Sequence, residues 1–224
     1  MKSNGKRGVA AGLFLLSAFV IFTFLIMNVD VQPKGQNGTN IGFAAVNLWF
    51  HGLTGDNMTL YTITDWLGLV PIAVCLGFAI LGLVQLIGRR SLFKVDLDII
   101  LLGVYYIIVI MGYLIFEMIP INYRPIPING YMEASYPSST TLLVLSVMPT
   151  LKFQINRRVK KPSIRTATTV FVIAFSIFMV GGRLISGVHW ITDILGSVLL
   201  SAGLYLIYRS AVVMIDSKKG EAKQ

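Results

Sequence analysis

Arg183, His189 and Asp193 stand close together in the stretch Arg-Leu-Ile-Ser-Gly-Val-His-Trp-Ile-Thr-Asp, with hydrophobic segments on both sides. Ionisable groups are costly at the edge or inside of a membrane span, so they are usually paired, buried in a bundle or in contact with a polar ligand. His189 and Asp193 are four residues apart, a spacing that on a helix puts both side chains on one face about one turn apart. A carboxylate there accepts the proton on one imidazole nitrogen, fixes the tautomer and leaves the other nitrogen basic. Such a histidine can act as nucleophile or general base, although a buried His–Asp contact also arises merely to satisfy two polar groups. Arg183 adds a planar fork of donors matched to phosphate oxygens.

Two more stretches offer the same chemistry. Arg124 lies in residues 120–136, where Pro120, Pro125 and Pro127, followed by Pro137, oppose helix and favour a fixed, extended loop. The run Tyr136-Pro-Ser-Ser-Thr-Thr141 is readable as an ordinary proline-serine helix start. Equally, free backbone N–H groups and hydroxyls at a helix N-terminus form an anion cradle.

The elements that position these residues are membrane spans. The chain of 224 residues is 55% hydrophobic and 13% charged, with a mean hydropathy of +0.74. That is far more apolar than a soluble domain, so the chain reads as an integral membrane protein. A net charge of +9 suits nucleic acid only when the cations share an exposed face. Here Lys and Arg fall in the gaps between apolar runs, so no nucleic-acid partner is expected. The single cysteine, Cys75, lies in an apolar run and reads as a small lipid-facing or core residue.

Six spans are expected, over residues 8–28, 60–88, 99–119, 138–155, 166–181 and 189–208. The first has a basic start like a signal peptide, but it is longer and lacks a small-residue cleavage site, so a retained span is expected. Residues 41–53 are too short to span and suit an interfacial helix with Trp49 at the boundary; His51 within it reads as a solvated interfacial histidine. Asn37 and Asn57 begin short glycosylation-like patterns that recur by chance. Asp65, one turn into the second span, is either an outer-surface residue, the favoured reading, or a supporting partner of the site.

The expected organisation is one membrane domain over 1–224. Within it lie a first span and outer loop (1–59), a helical core (60–209) and a polar, frayed cytoplasmic tail (210–224). Nearly every Lys and Arg falls at the termini or in the second-to-third and fourth-to-fifth loops, leaving only Lys34, Arg124 and Arg183 on the other side. The positive-inside rule then puts both termini in the cytoplasm. Arg124 and Arg183 face outward, where an anion accounts for them.

Arg183-x5-His189-x3-Asp193 resembles the third motif of the type 2 phosphatidic acid phosphatase (PAP2) superfamily, which also includes soluble vanadium-dependent haloperoxidases. Pro137-Ser138-Ser139 is similar to the start of its second motif, and Arg124-Pro125 to the end of its first. The resemblance implies an all-α, six-helix polytopic bundle, with no cofactor and no metal. It also implies a phosphomonoesterase or pyrophosphatase working through a phosphohistidine. His189 would attack phosphorus, Asp193 would orient it, and Arg183 with Arg124 would hold the phosphoryl oxygens; Ser138, Ser139 and nearby backbone N–H groups would complete the cradle.

Three positions depart from the family pattern. Glu117 stands where the first motif has lysine, Thr140 where the second has an acid histidine, and Gly182 where the third commonly has serine. Loss of a general acid typically costs about 10² to 10⁴-fold, which a good leaving group such as phosphate partly offsets. Glu117 or Glu133 is a candidate substitute acid if raised in pKa by burial; alternatively Glu117 pairs with Arg124. Two functions follow. One is a lipid phosphatase at the outer face of a bacterial plasma membrane, acting on phosphatidate, phosphatidylglycerophosphate or a polyprenyl diphosphate whose tail enters sideways from the bilayer. The other is a non-catalytic relative that binds, senses or transports such lipids.

Overall fold

The computed structural model describes residues 2–221, so residues 222–224 of the expected tail lie outside the described residues. The described chain is all α-helical apart from loops and isolated bridges: α1 (Lys2–Asn28), α2 (Ala44–Thr54), α3 (Met58–Leu67), α4 (Leu69–Arg89), α5 (Leu97–Met118), α6 (Ser139–Arg158), α7 (Pro162–Ile185) and α8 (Ile191–Glu221). Five passes are long and apolar enough to cross a bilayer: α1, α3 with α4, α5, α7 and α8. The chain is a multi-pass membrane protein. Helix α6, the remaining expected span, is 20 residues long but much less apolar, because it lies at the centre of the bundle.

Helix α6 packs against α4, α5, α7 and α8. Enclosure allows polar residues on its surface where hydrogen bonds offset their burial. Tyr105 Oη donates to the Ser146 carbonyl at 2.9 Å, Tyr106 Oη lies 2.7 Å from Thr150 Oγ1, and Gln154 Nε2 donates to Tyr208 Oη at 2.6 Å. Around them pack Leu102, Leu142, Val147 and Tyr136, all buried.

Helix α1 lies along α8 through small residues. A Cβ on Gly12 would come within 2.9 Å of the Gly203 carbonyl oxygen, so the glycine permits an approach that a larger residue would block. Helix α8 does not end at Tyr208 as expected. Val212 is buried, Met214 packs at Gly5 and Asp216 pairs with Arg157 at 2.5 Å, so residues 210–221 prolong the helix instead of fraying. Arg158 reaches Asp98 at 2.8 Å and Arg89 reaches Asp96 at 2.7 Å, closing the same end of the bundle with ion pairs.

The opposite end carries the long connections. Helix α2 buries Ala44 and Asn47 against the start of α8, where Asn47 Nδ2 donates to Thr192 Oγ1 at 3.0 Å. Its other face exposes Val46, Trp49 and Leu53. The proline-rich loop folds back as a hairpin: the amide of Arg124 donates to the Glu133 carbonyl and that of Ser135 to the Asn122 carbonyl. Asn129 and Gly130, both at positive φ (51° and 81°), make its tip, and an Asn-Gly pair suits that turn because both residues tolerate the left-handed region.

Candidate active site

His189 lies in the loop between α7 and α8, not in the first turn of α8, and Arg183 belongs to the last turn of α7, not to the loop. Asp193 sits in the first turn of α8. One of its oxygens, Oδ2, accepts the Trp190 amide at 2.9 Å, as an acidic residue does when it reaches back to the residue capping its own helix. The same oxygen is 3.4 Å from His189 Nδ1. The carboxylate thus fixes the loop and faces one imidazole nitrogen, even though the two residues do not share a helix.

Trp190 joins two parts of the site, because its indole Nε1 donates to the Tyr123 carbonyl at 2.7 Å, next to Arg124. From the other side, the amide of Asn57 donates to the Ser186 carbonyl at 2.9 Å. His51 is half-buried; its Nε2 is 3.1 Å from the Gly187 carbonyl and its ring centroid 5.6 Å from that of Trp190. The expected solvated histidine is therefore part of the support of the His189 loop. Gly187 has φ +69°, and a Cβ there would collide with the Gly55 carbonyl.

Arg124, Arg183 and His189 are 7%, 1% and 3% exposed. Both guanidiniums lie over the Tyr61 ring, at 5.9 Å for Arg124 and 4.8 Å for Arg183. Two buried cations on one ring repel each other, a cost that only cation–π attraction and carboxylates offset here. Arg183 Nη2 donates to Asp65 Oδ1 at 2.8 Å and also to Thr140 Oγ1. Asp65 is thus a partner of the site while remaining partly exposed, against the favoured surface reading. Arg124 Nε is 3.0 Å from Glu133 Oε2, but without the alignment of a hydrogen bond. Glu117 is exposed in the last turn of α5; the carboxylate beside Arg124 is Glu133.

These pairings leave six buried nitrogens without a hydrogen-bond acceptor: Nε and Nη1 of Arg124, Nε and Nη1 of Arg183, and both imidazole nitrogens of His189. Burial, reinforced by the positive charges of Arg124 and Arg183, holds the His189 pKa well below the ordinary 6.5. The imidazole is therefore neutral at neutral pH, the state a nucleophile requires. Asn122 and Ser135 lie beside Asp193.

Ser138 is a helix cap at the start of α6, its hydroxyl lying 3.1 Å from Thr141 Oγ1, and its amide donates to the Asp193 carbonyl at 3.2 Å. The amides of Ser139 and Thr140, in the first turn of α6, have no preceding helical carbonyl to bond, so they remain the donors of this helix end. Ser139 and Thr140, with Asp65, also line a mainly apolar cavity of about 240 Å³ between α4, α5 and α6, walled by Leu69, Ile72, Ile110 and Tyr113. Among the described residues, no three His, Cys, Asp or Glu side chains come together as a metal-ligand set.

The sequence profile of the PAP2 superfamily matches residues 99–215, from α5 into α8. The solved structure of a transmembrane PAP2-type phosphatidylglycerolphosphate phosphatase from Bacillus subtilis is similar in fold. Its TM-score is 0.63 at 15% identity, over 91% of this chain and 96% of that one. No curated protein matches by sequence.

Proposed function

We propose, from the premise that this chain belongs to the PAP2 superfamily, that it is a membrane lipid phosphatase or pyrophosphatase working through a phosphohistidine. The observation that carries this reading is the set of six unpartnered nitrogens on Arg124, Arg183 and His189. A tetrahedral phosphoryl group supplies acceptors for the four guanidinium nitrogens, and its phosphorus is the electrophile for the free imidazole nitrogen. The structural relative from Bacillus subtilis is a phosphatase of the same class.

In the proposed reaction the lone pair of His189 Nε2 forms a bond to phosphorus as the bond from phosphorus to the leaving oxygen breaks. Nδ1 keeps its proton towards Asp193, which offsets the positive charge that develops on the ring. Arg124 and Arg183 neutralise the equatorial oxygens, the main electrostatic resource in phosphoryl transfer. Water then attacks the phosphohistidine, releasing phosphate and restoring neutral His189.

Thr140 donates no proton to a leaving group and is already bonded to Arg183. A diphosphate substrate suits this site best, because a departing phosphate needs less protonation than an alkoxide. Glu133, beside Arg124, is the better placed of the two candidate substitute acids. The cavity next to Ser139 and Thr140 supports sideways entry of an acyl or prenyl tail. By the distribution of Lys and Arg, both termini are cytoplasmic and the site faces outward, in a single membrane domain.

Purified protein in detergent with chelator, given a panel of phosphatidate, phosphatidylglycerophosphate and polyprenyl diphosphate, should release phosphate from at least one. His189→Ala should abolish that release. Binding of these lipids without any His189-dependent release would instead assign the non-catalytic role of binding, sensing or transporting them.

A further inference from the structure

At the end of the bundle away from His189, a cavity of about 540 Å³ lies between α6, α7 and α8. Pro149 has no N–H, so the Leu145 carbonyl one turn earlier lacks its helical donor. Both residues line the cavity. Lys152 and Asn156 follow on the same helix, while Tyr205 and Arg209 face them from α8.

The cavity is polarised along the membrane normal. Leu145 is six residues into α6, roughly 9 Å from its start, whereas Lys152 is thirteen residues in, roughly 20 Å. Arg209 is eighteen residues into α8, roughly 27 Å from its start. Cations therefore stand at the mouth near the far membrane face, and Leu145, Val172, Ile173 and Ile177 form the deeper walls. Ile173 and Ile177 are strongly exposed on the lipid side of α7, which leaves the cavity open to the bilayer.

Cations at that end of a membrane protein commonly serve only to set topology. Arg157 and Arg158 are held by Asp98 and Asp216, and Arg165 Nε donates to the Val159 carbonyl. Lys152 and Arg209 differ: among the described residues neither has an ion-pair partner, and no acidic residue lines the cavity they share. Deeper in, the Ser176 hydroxyl is buried with no hydrogen-bond partner. Two unpaired cations above an apolar slot match one amphiphile: an anionic phosphate head at the top and hydrocarbon below.

We propose that this cavity binds an anionic phospholipid of the leaflet opposite the His189 site. Lys152 and Arg209 hold the headgroup phosphate, and the acyl chain lies against Ile173 and Ile177. The assignment does not depend on the phosphatase reading, because none of these residues belongs to the His189 site. Basic pockets between membrane helices bind acidic headgroups, with each cation near the surface adding about fivefold in affinity.

The test uses the full chain extracted from vesicles of equal parts dioleoyl phosphatidylglycerol and dioleoyl phosphatidylcholine, with retained lipid counted by native mass spectrometry. Phosphatidylglycerol should be retained over phosphatidylcholine by at least fivefold. Lys152→Gln with Arg209→Gln should remove that preference, while the control Lys160→Gln with Lys161→Gln, at the same end but outside the cavity, should keep it. Ser176→Leu, which fills the slot and leaves the charges intact, should lower retention of phosphatidylglycerol and keeps the proposal testable if the double variant does not fold. Equal retention of the two lipids, an equal loss in the control pair, full retention in Ser176→Leu, or displacement by millimolar inorganic phosphate would each overturn the assignment.

Discussion

Asp65 Oδ1 lies 2.8 Å from Arg183 Nη2, joining α3 to α7, and Thr140 Oγ1 accepts from the same nitrogen. One donor of Arg183 is thereby fixed from two sides while Nε and Nη1 stay unpartnered. Asp65 is 56% exposed, so solvent screens the pair and its worth is that of a surface ion pair, up to about 1 kcal/mol. Asp65→Asn should therefore lower kcat/KM only about two- to fivefold, whereas Arg183→Lys, which loses the planar fork, should lower it on the order of 10² to 10³-fold. Steady-state phosphate release by the two variants checks the ordering, and a larger loss in Asp65→Asn contradicts it.

His189 should not titrate in the ordinary histidine range. Protonation removes its nucleophilic lone pair, and burial with the charges of Arg124 and Arg183 lowers its pKa well below 6.5. As pH falls, the acid limb of kcat/KM should consequently lie well below 6.5. Arg124→Gln removes one of those charges, so in that variant the limb should move to higher pH even as turnover drops. A wild-type limb centred near 6.5, or one unmoved by Arg124→Gln, contradicts this electrostatic origin.

Gly187 is where residues 51–57 meet the His189 loop. Its φ of +69° disfavours any side chain, and a Cβ would strike the Gly55 carbonyl. Gly187→Ala should cost roughly 1–3 kcal/mol of stability from backbone strain, read as a lower Tm in detergent, and should lower activity more than tenfold. His51→Ala, which loses the contacts to the Gly187 carbonyl and the Trp190 ring without straining the backbone, should have the smaller effect on both.

Glu133 and Glu117 separate by leaving group. If Glu133 protonates the leaving oxygen, Glu133→Gln should slow a lipid monophosphate by about 10² to 10⁴-fold and a diphosphate much less. Glu117→Gln should change neither rate, given its exposed position on α5. Equal loss on both substrates in Glu133→Gln would leave that residue with the role of holding Arg124.

The spacing of Arg183, His189 and Asp193 was legible because it is local in the chain, and the spans because bilayer thickness sets their length. The boundaries were less so. Arg183 had to reach the last turn of α7 and His189 to leave α8, and no local signal marks either. Asn129-Gly130 did mark a hairpin tip, yet the surrounding prolines suggested only an extended loop. The partners Asp65 and Tyr61 come from α3, far from the motifs in sequence and outside residues 99–215, so only packing brings them to the arginines. Ser138 looked equally suited to capping and to anion binding; in the fold its hydroxyl caps α6.

The most direct measurement is trapping of the covalent intermediate. Purified protein is mixed with a ³²P-labelled lipid phosphate in chelator, quenched in alkali, where phosphohistidine survives, and analysed by peptide mass spectrometry. The phosphoryl group is expected on His189, absent in His189→Ala and accumulating in wild type when water attack is slow. Phosphate release that persists in His189→Ala, or label on any other residue, would contradict a phosphohistidine mechanism.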